Sequence, residues 1–461
     1  MAFFLFRSDY YEVMEKACIA SLRGTALFSA GLPMESRAAV SSEGIQAVTG
    51  VAEVYGDGEK TAAAILTYPE KLMPHSVSAD TFEVTGKTIE KAYVTDENSV
   101  NGAEKAGPYV VLKFKYVNES FYGDLASRAK KDNDNDNVEG EDNKGPAPGG
   151  DAPMHSDRVA PDLSISVRPK GYILSAKDNL YTPGEFVKST KTEEPVLDSF
   201  SQHTYTDPST GYSMPYDLYL LKNYDPAKKY PMVVFIGDAS VDTNDPKTSL
   251  YQGNGGTIWA EPAEQAKHEC IILIPHYTDD LINQLGMMTT DSNVWTPGLT
   301  LTSDLIFDVT KKYAVDTDRI YGMGQSQGGM ANIAISDKYS DFFAAQLLVA
   351  CQWNVDEMKA MKDKKLWIIV SQGDNKAYPG MTSAVALWKS LGTKVAEDGT
   401  FWDTKGSWAA LEEKAKALKD TGYPMHFTVF KDGNHMYTWS VAYNLETVRD
   451  WLFEQKKEAA E

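Results

Sequence analysis

The clearest chemical pattern in the chain surrounds Ser326, in the segment Gly324-Gln-Ser-Gln-Gly328. Glycines two residues to either side of a serine permit a sharp strand-to-helix turn, a nucleophile elbow, because they remove the Cβ atoms that would crowd it. The apolar run Arg319–Gly324 precedes the serine and an amphipathic run begins at Met330. The pattern therefore predicts that Ser326 presents its hydroxyl as a nucleophile.

A serine nucleophile needs a base that accepts its proton and an acid that holds the base in the right tautomer. Behind this elbow the acid and then the histidine follow the serine along the chain. His426 begins a predicted strand, on the wrong edge of the sheet, whereas His435 lies in the loop after that strand. We therefore predict His435 as the base. His276 precedes the serine and is expected at most to line the site.

Two aspartates compete for the role of the acid. Asp374 ends the run Leu366-Trp-Ile-Ile-Val-Ser-Gln-Gly-Asp374, and Asp356 lies in the loop after an earlier strand. A strand-terminal Gly-Asp places its carboxylate directly at the carboxyl edge of the sheet. We predict Asp374 as the acid and keep Asp356 as the alternative.

An ester carbonyl under attack also needs two N–H donors for its developing negative charge. The residue after the nucleophile, Gln327, offers its backbone N–H at the start of a helix. The second donor is expected in the loop after Val233-Val-Phe-Ile236, which reads Gly237-Asp-Ala-Ser240. We predict Ala239, with Asp238 as the alternative.

Two tryptophans lie near the predicted site. Trp353 follows a predicted strand at the active edge, and Trp295 lies in a long loop between strands. An aromatic ring at such a place can contact an acyl or sugar group of a substrate. We predict substrate binding for Trp353, whereas Trp295 fits a core position equally well.

Elements that position these residues alternate between strands and helices in the second half of the chain. This order predicts a mostly parallel sheet covered on both faces, with its site at the carboxyl ends of the strands. The predicted strands are Met232–Ile236, Cys270–Pro275, Arg319–Gly324, Ala344–Ala350, Leu366–Ser371 and Met425–Phe430. The predicted helices are Thr302–Tyr313, Thr382–Leu391, Trp408–Lys419 and Val441–Phe453.

The first half is organised differently. Short alternating segments separated by turn residues predict a β-sandwich over residues 45–198, before a hydrolase-like domain at 199–461. A highly acidic insertion at about 127–161 is expected to be disordered, and residues 1–44 form a leader or an irregular extension.

The acidic insertion contains the alternating aspartates Asp132, Asp134 and Asp136. A calcium-binding loop of the EF-hand type needs a glycine where Asn137 stands and a bidentate glutamate where Asn143 stands. We therefore predict no metal site.

Length and composition exclude several classes of protein. The chain has 461 residues, enough for two or three domains, and its 42% hydrophobic and 24% charged residues are typical of a globular protein. A net charge of −20 argues against nucleic-acid binding. No stretch has the roughly 18 to 20 uncharged apolar residues of a membrane span. Three scattered cysteines predict no disulfide framework, and Cys270 and Cys351 are expected to be buried thiols.

The region from about Ser199 to Glu454 resembles the α/β-hydrolase esterases related to polyhydroxybutyrate depolymerases and to feruloyl and acetyl xylan esterases. The matching features are Tyr216-Asp-Leu-Tyr-Leu, Asp318-Arg-Ile-Tyr, Gly324-Gln-Ser-Gln-Gly-Gly-Met330 and the positions of Asp374 and His435. The preceding part is similar to the immunoglobulin-like N-terminal domain of some bacterial esterases of this group. Where the group usually has His-Gly after the third strand, this chain has Gly237-Asp238.

The resemblance implies a serine carboxylesterase that works through an acyl-enzyme without a cofactor. Expected substrates are acetyl or feruloyl esters of plant polysaccharides, or short-chain and polyester substrates. A secreted or cell-envelope location is favoured, although the small apolar residues near the N-terminus leave export undecided, and the oligomeric state is open. The alternative is a non-catalytic carbohydrate- or surface-binding protein with a vestigial hydrolase domain. The sandwich domain and the altered loop at Gly237-Asp238 motivate this alternative.

Overall fold

The structure, a computed structural model, describes residues 40–41, 44–120, 160–240 and 245–457. Nearly all of the predicted leader and of the acidic insertion, with its candidate calcium ligands, lies outside these residues, as does Cys18.

The N-terminal part is built from strands alone, apart from two short 3₁₀ turns, among its described residues. Its largest sheet has the order β11-β2-β3-β6-β5, and two three-stranded sheets have the orders β10-β7-β4 and β1-β9-β8. The strands are β1 (Val40–Ser41), β2 (Ala47–Tyr55), β3 (Gly58–Leu72), β4 (Phe82–Val84), β5 (Ile89–Thr95), β6 (Gly107–Phe114), β7 (Ser166–Pro169), β8 (Ile173–Leu174), β9 (Leu180–Tyr181), β10 (Val187–Lys188) and β11 (Lys191–Glu193).

Burial of one shared apolar cluster joins these sheets into a sandwich. Val48 and Leu66 come from the largest sheet, Val84 and Val167 from the sheet that contains β4 and β7, and all four are buried in the same cluster. β7 pairs antiparallel with β4, so the strands before and after the acidic insertion belong to one sandwich.

The C-terminal part contains a nine-stranded sheet of order β12-β13-β15-β14-β16-β17-β18-β20-β19. Its strands are β12 (Ser201–Thr206), β13 (Ser213–Tyr219), β14 (Tyr230–Ile236), β15 (Ile271–Pro275), β16 (Val315–Gln325), β17 (Ala345–Val349), β18 (Leu366–Ser371), β19 (Val395–Ala396) and β20 (Met425–Phe430). Its helices are α1 (Pro262–Lys267), α2 (Asp279–Leu285), α3 (Pro297–Lys312), α4 (Gln327–Lys338), α5 (Ala377–Ser390), α6 (Trp408–Lys419), α7 (His435–Ala442) and α8 (Glu446–Phe453).

Pairing in this sheet is parallel from β15 to β19 and antiparallel where β12 and β13 join it. Every residue of β14, β15, β17, β18 and β20 is buried, which is why the sequences of these strands are mostly apolar. Two large apolar clusters cover the two faces of the sheet. The predicted fold class, a mostly parallel α/β-hydrolase sheet preceded by an all-β sandwich, is confirmed.

One predicted helix is divided into two in the structure. The run Val441–Phe453 was expected to form a single helix, but the chain forms α7 and α8 with a break between them. α7 begins at His435 because the Asn434 side chain caps it by accepting a hydrogen bond from the Tyr437 N–H at 2.8 Å. His435 therefore lies in the first turn of a helix and not in a loop.

The two cysteines among the described residues lie in the core. Cys270 and Cys351 are buried free thiols, as predicted. No helix among the described residues is long and apolar enough to cross a membrane.

A buried ion network joins α1 to α8. Arg449 on α8 donates to Glu264 on α1 at 3.1 Å, and His268 Nδ1 lies 2.8 Å from the same carboxylate. Burial alone would raise the pKa of Glu264, but hydrogen bonds from His268 and Arg449 hold it at about 2, against an ordinary value of 4.5. The anion at Glu264 therefore compensates a buried guanidinium.

Removal of this carboxylate is expected to destabilise the fold strongly. Glu264→Ala leaves Arg449 buried without its partner and lowers the free energy of unfolding by about 3–5 kcal/mol. Lys267→Ala on the same helix removes only an exposed pair with Glu446 and costs about 0–1 kcal/mol. Urea unfolding of both variants measures the difference, and equal losses would contradict the role given to the buried network.

The effect of Glu264 should also depend on pH. Because its folded-state pKa is depressed, its contribution is complete above 4.5 and is lost as the pH falls towards 2. The difference in unfolding free energy between the wild type and Glu264→Ala should therefore shrink over this range.

Candidate active site

Ser326 lies at the turn between β16 and α4 and has a backbone conformation that a residue with a side chain rarely adopts. Its φ is 51° and its ψ is −121°. The Ser326 N–H donates to the carbonyl of Val349 at 3.0 Å, and the Ser326 carbonyl accepts from the Met330 N–H at 3.0 Å. These bonds hold the residue between the sheet and the new helix, with its hydroxyl at the carboxyl edge of the strands.

Three glycines around Ser326 allow this turn because backbones pass where a Cβ atom would stand. A Cβ atom on Gly324 would lie 2.4 Å from the carbonyl carbon of Gly328, and one on Gly328 would lie 1.9 Å from the carbonyl oxygen of Ile236. A Cβ atom on Gly329 would lie 2.5 Å from the Cys351 sulfur. The Gly-x-Ser-x-Gly-Gly pattern is thus required by contacts within the elbow, with the end of β14 and with Cys351 after β17.

The structure brings Ser326, His435 and Asp374 together, hereafter the triad. Ser326 Oγ lies 2.8 Å from His435 Nε2, and His435 Nδ1 lies 2.5 Å from Asp374 Oδ2. An ionised carboxylate can only accept, so Nδ1 carries the proton and Nε2 is left as an acceptor for the serine hydroxyl. This tautomer is the one that a general base needs.

Asp374 is held as a buried anion. Its side chain is 4% exposed, whereas that of His435 is 42% exposed. Burial would raise the pKa of Asp374, but the hydrogen bond and charge of His435 and the N–H groups of Ala377 and Lys376 lower it below its ordinary value. The two backbone N–H groups donate to Asp374 Oδ1 at 2.9 and 3.0 Å, which leaves Oδ2 for the imidazole.

The loop after β14 faces the elbow and is ordered by Asp238. Its Oδ1 accepts from the Ser240 N–H at 2.7 Å, and its Oδ2 accepts from Gln325 Nε2 at 3.0 Å. Ala239, between these residues, lines the same pocket as Ser326 and Gln327. The second oxyanion donor, Ala239 or Asp238, remains a prediction.

A pocket with a volume of about 90 Å³ lies directly over the triad. Its wall combines small and flexible apolar groups with an ion pair between Lys376 and Asp291, whose Nζ and Oδ2 are 2.6 Å apart. Residues that line it are Ala239, Met287, Thr289, Thr290, Asp291, Ser326, Gln327, Met330, Ala350, Cys351, Gln352, Lys376, Ala377 and His435.

Trp353, the predicted substrate contact, is not among these residues. It is 4% exposed, and its indole N–H donates to Glu357 at 2.7 Å, so the ring is packed in the core. Trp295 also lies elsewhere: its N–H donates to Thr300 at 2.8 Å and Lys338 covers its ring.

The alternative acid and the other histidines are also away from the triad. Asp356 has a side chain that is 87% exposed and pairs with Lys359. His426 is fully buried and stacks on Trp367, and burial lowers its pKa to about 4. His276 lies beside β13, where its backbone N–H donates to the carbonyl of Pro215 at 2.9 Å.

Sequence patterns did not indicate the Asp291–Lys376 ion pair. Asp291 lies in the irregular segment 286–296, which has no periodicity, and contact with Lys376 joins residues 85 positions apart. The only signal was the position of Lys376, two residues after Asp374. No group of three or more potential metal ligands is present among the described residues.

Comparisons with known proteins agree with this architecture. Residues 47–182 match the family described as Esterase Ig-like N-terminal domain. No curated protein matches the chain. A solved structure described as a thermostable esterase superposes with a TM-score of 0.65 at 22% identity, over 90% of this chain and 100% of its own.

Two further structures cover about half of the chain. The feruloyl esterase module from Clostridium thermocellum matches at a TM-score of 0.40 and 12% identity, over 58% of this chain and 92% of its own. A ferulic acid esterase from Anaeromyces mucronatus matches at 0.36 and 14% identity, over 54% and 89%. The N-terminal part is thus similar to the immunoglobulin-like domain of esterases, and the chain shares the two-part fold of the thermostable esterase.

Proposed function

We propose that the chain is a serine esterase, which hydrolyses carboxylic esters through an acyl-enzyme. The observation that carries this proposal is the hydrogen-bonded row from Ser326 through His435 to Asp374, with the serine hydroxyl at a pocket. Each of the three residues follows a different strand of one mostly parallel sheet. Such an arrangement matches the geometry by which an alcohol oxygen becomes a nucleophile at neutral pH.

In the first step the Ser326 hydroxyl transfers its proton to His435 Nε2 while Oγ attacks the ester carbonyl carbon. The imidazolium that forms is stabilised by the Asp374 carboxylate at Nδ1. The carbonyl oxygen becomes an oxyanion, and the N–H groups of Gln327 and Ala239 are the proposed donors to it. His435 then returns the proton to the leaving alcohol oxygen, and the C–O bond of the ester breaks.

In the second step water replaces the alcohol. His435 Nε2 takes a proton from the water molecule, whose oxygen attacks the acyl carbon bonded to Ser326 Oγ. Collapse of the second tetrahedral intermediate returns the proton to Oγ and releases the carboxylic acid. No metal or organic cofactor is needed for either step.

The size of the pocket favours short acyl groups. An engineered apolar cavity of about 150 Å³ binds benzene, and the pocket over Ser326, with about 90 Å³, is smaller. An acetyl group is small enough for this space, whereas a feruloyl ring would extend beyond it. We therefore propose acetyl or similarly short esters as the substrate class, with the alcohol part directed towards solvent.

A large alcohol part fits this arrangement, for example an acetylated polysaccharide. Such a polymer does not enter cells, so we also propose a secreted or cell-envelope location. The Asp291–Lys376 pair at the pocket offers charged and hydrogen-bonding groups to a hydroxylated substrate. The alternative of a non-catalytic binding protein predicts polysaccharide binding without turnover of any short ester.

Substitution of the nucleophile tests the proposal directly. Ser326→Ala should abolish covalent labelling by a fluorophosphonate probe and lower kcat for p-nitrophenyl acetate by about 10⁴-fold or more, because no acyl-enzyme can form. Ser383→Ala, an exposed serine on α5, is the matched control and should behave like the wild type. Retained turnover in Ser326→Ala, or inactive wild type, would contradict the proposal.

The acid can be tested with the two aspartates that the sequence left in competition. Asp374→Asn keeps the shape of the side chain but favours the wrong tautomer of His435, and should lower kcat about 10⁴-fold. Asp356→Asn removes only an exposed ion pair and should leave kcat unchanged. Steady-state turnover of p-nitrophenyl acetate by both variants gives the comparison, and equal effects would exclude Asp374 from this role.

Acyl-chain selectivity tests the proposed substrate class. The kcat/KM for p-nitrophenyl acetate should exceed that for the octanoate by at least about tenfold, because the pocket cannot enclose a long chain. Met287→Ala shortens a side chain of the pocket wall and so enlarges the pocket. It should raise kcat/KM for the butyrate and octanoate relative to the acetate. Met73→Ala, at an exposed position of the sandwich, should not. A preference of the wild type for octanoate would overturn the assignment.

A further inference from the structure

The turn between β2 and β3, residues 55–58 and hereafter the hairpin turn, contacts the helix that begins at His435. A Cβ atom on Gly56 would lie 2.3 Å from the Cα atom and 2.5 Å from the carbonyl oxygen of Ser440 on α7. Only glycine allows two backbones to approach this closely. The N-terminal sandwich and the base-bearing helix therefore meet backbone against backbone.

A side-chain hydrogen bond fixes the same contact. Asn118 Nδ2, in the segment after β6, donates to Ser440 Oγ at 2.8 Å. The Ser440 hydroxyl in turn donates to the carbonyl of Tyr437 at 2.7 Å, in the first turn of α7. The hydrogen bond from the sandwich thus continues into the turn that carries His435.

The segment after β6 is bound tightly to the hairpin turn. Tyr116 stacks on Tyr55 with ring centroids 4.1 Å apart, and its hydroxyl donates to Asp57 Oδ1 at 2.9 Å. The Glu119 N–H donates to Asp57 Oδ2 at 2.6 Å. Gly56 and Asn118 are therefore presented to α7 by one ordered unit of the sandwich.

A second route leads from the hairpin turn to the nucleophile. A Cβ atom on Gly253 would lie 3.1 Å from the Gly56 carbonyl oxygen, 3.3 Å from Gln325 Oε1 and 3.3 Å from Trp439 Cδ1. Gln325 immediately precedes Ser326. The backbone around Gly253 thus lies between the hairpin turn, the residue before the nucleophile and the helix of the base.

Trp439 completes the connection to the imidazole. Its ring lies edge-on to that of His435, with centroids 5.1 Å apart and planes at 84°. Because the His435 side chain is partly exposed, its position relative to Ser326 depends on the placement of α7 and on Asp374. Displacement of reacting groups by about 1 Å costs about 10²-fold in rate.

We infer that the hairpin turn of the N-terminal sandwich positions His435 against Ser326, with Gly56 and Asn118 as positioning residues. Neither residue touches the triad itself; both act through Ser440 and α7. The inference rests on the proposed esterase function, which wild-type turnover and Ser326→Ala test separately. It predicts that disturbing this contact lowers the rate of catalysis while substrate binding is kept.

Four variants test the contact. Gly56→Ala forces the hairpin turn away from Ser440 and should lower kcat for p-nitrophenyl acetate by about 10- to 100-fold with little change in KM. Asn118→Ala and Ser440→Ala should each lower kcat by about three- to tenfold. The double variant Asn118→Ala/Ser440→Ala should be no slower than the slower of the two single variants, because each substitution removes the same hydrogen bond between Asn118 and Ser440.

Matched controls separate positioning from general loss of stability. Gly184→Ala adds a Cβ atom elsewhere in the sandwich, where the nearest atom is 3.7 Å away, and Asn179→Ala removes a hydrogen bond to Glu70 within the sandwich. Both should retain wild-type kcat. Glu264→Ala should unfold at a lower temperature but keep kcat when assayed well below its unfolding midpoint, since α1 is not part of the contact.

Fluorophosphonate labelling gives a second readout that does not depend on the substrate. Its rate constant should fall in parallel with kcat in Gly56→Ala and Asn118→Ala, because labelling also needs the base. Should Gly56→Ala fail to fold, Asn118→Ala and Ser440→Ala still decide the question. The inference is overturned if active wild-type enzyme keeps its kcat within twofold in folded Asn118→Ala and Ser440→Ala.

Discussion

The close approach of three backbone segments at the elbow is the constraint on which the rest of the site depends. Gly328 lies against the last carbonyl of β14 and against Gly324, at distances that exclude any side chain. This packing holds Ser326 at a positive φ, a conformation that costs about 1–3 kcal/mol and persists only where surrounding structure imposes it. Burial of the sheet on both faces supplies the stability that offsets this strain.

From that turn the positions of the other groups follow. α4 begins at Gln327, so the first N–H groups of the helix lack intrahelical acceptors, and Gln327 lines the pocket. The carboxyl ends of β18 and β20 lie at the same edge of the sheet, and Asp374 and His435 follow them. Asp374 is kept ionised in a buried place by His435 and by the N–H groups of Ala377 and Lys376, and its charge then fixes the imidazole tautomer.

The sequence predicted a residue's position well where that position depends directly on the strand before it. Leu366–Ser371 and Met425–Phe430 were predicted with the bounds that the structure has, because strands buried on both faces are mostly apolar along their length. The proximity of Ser326, Asp374 and His435 followed from strand order. Trp353, predicted as a substrate contact, is buried and does not line the pocket over Ser326, because a place after a strand does not determine whether the ring turns inward.

Contacts between distant segments could not be predicted in this way. The helix at His435 depends on its Asn434 cap, whereas the position of His435 after a predicted strand indicated a loop. The meeting of Gly56 and Ser440 joins two domains across hundreds of residues and leaves no local pattern, since an isolated glycine in a hairpin has many explanations. The pairing of Lys376 with Asp291 could not be predicted for the same reason.

The unusual Gly237-Asp238 sequence finds its physical explanation in these distant contacts. Where a histidine was expected, Gly237 leaves room for Gln252, whose Oε1 would lie 2.1 Å from a Cβ atom there. The Asp238 carboxylate binds the loop to Gln325, the variable residue of the elbow motif. Gln325 also donates to the carbonyl of Gln252, next to the glycine that meets the hairpin turn. The altered loop is therefore one side of a polar contact that links the loop after β14, the residue before Ser326 and the backbone next to the N-terminal sandwich.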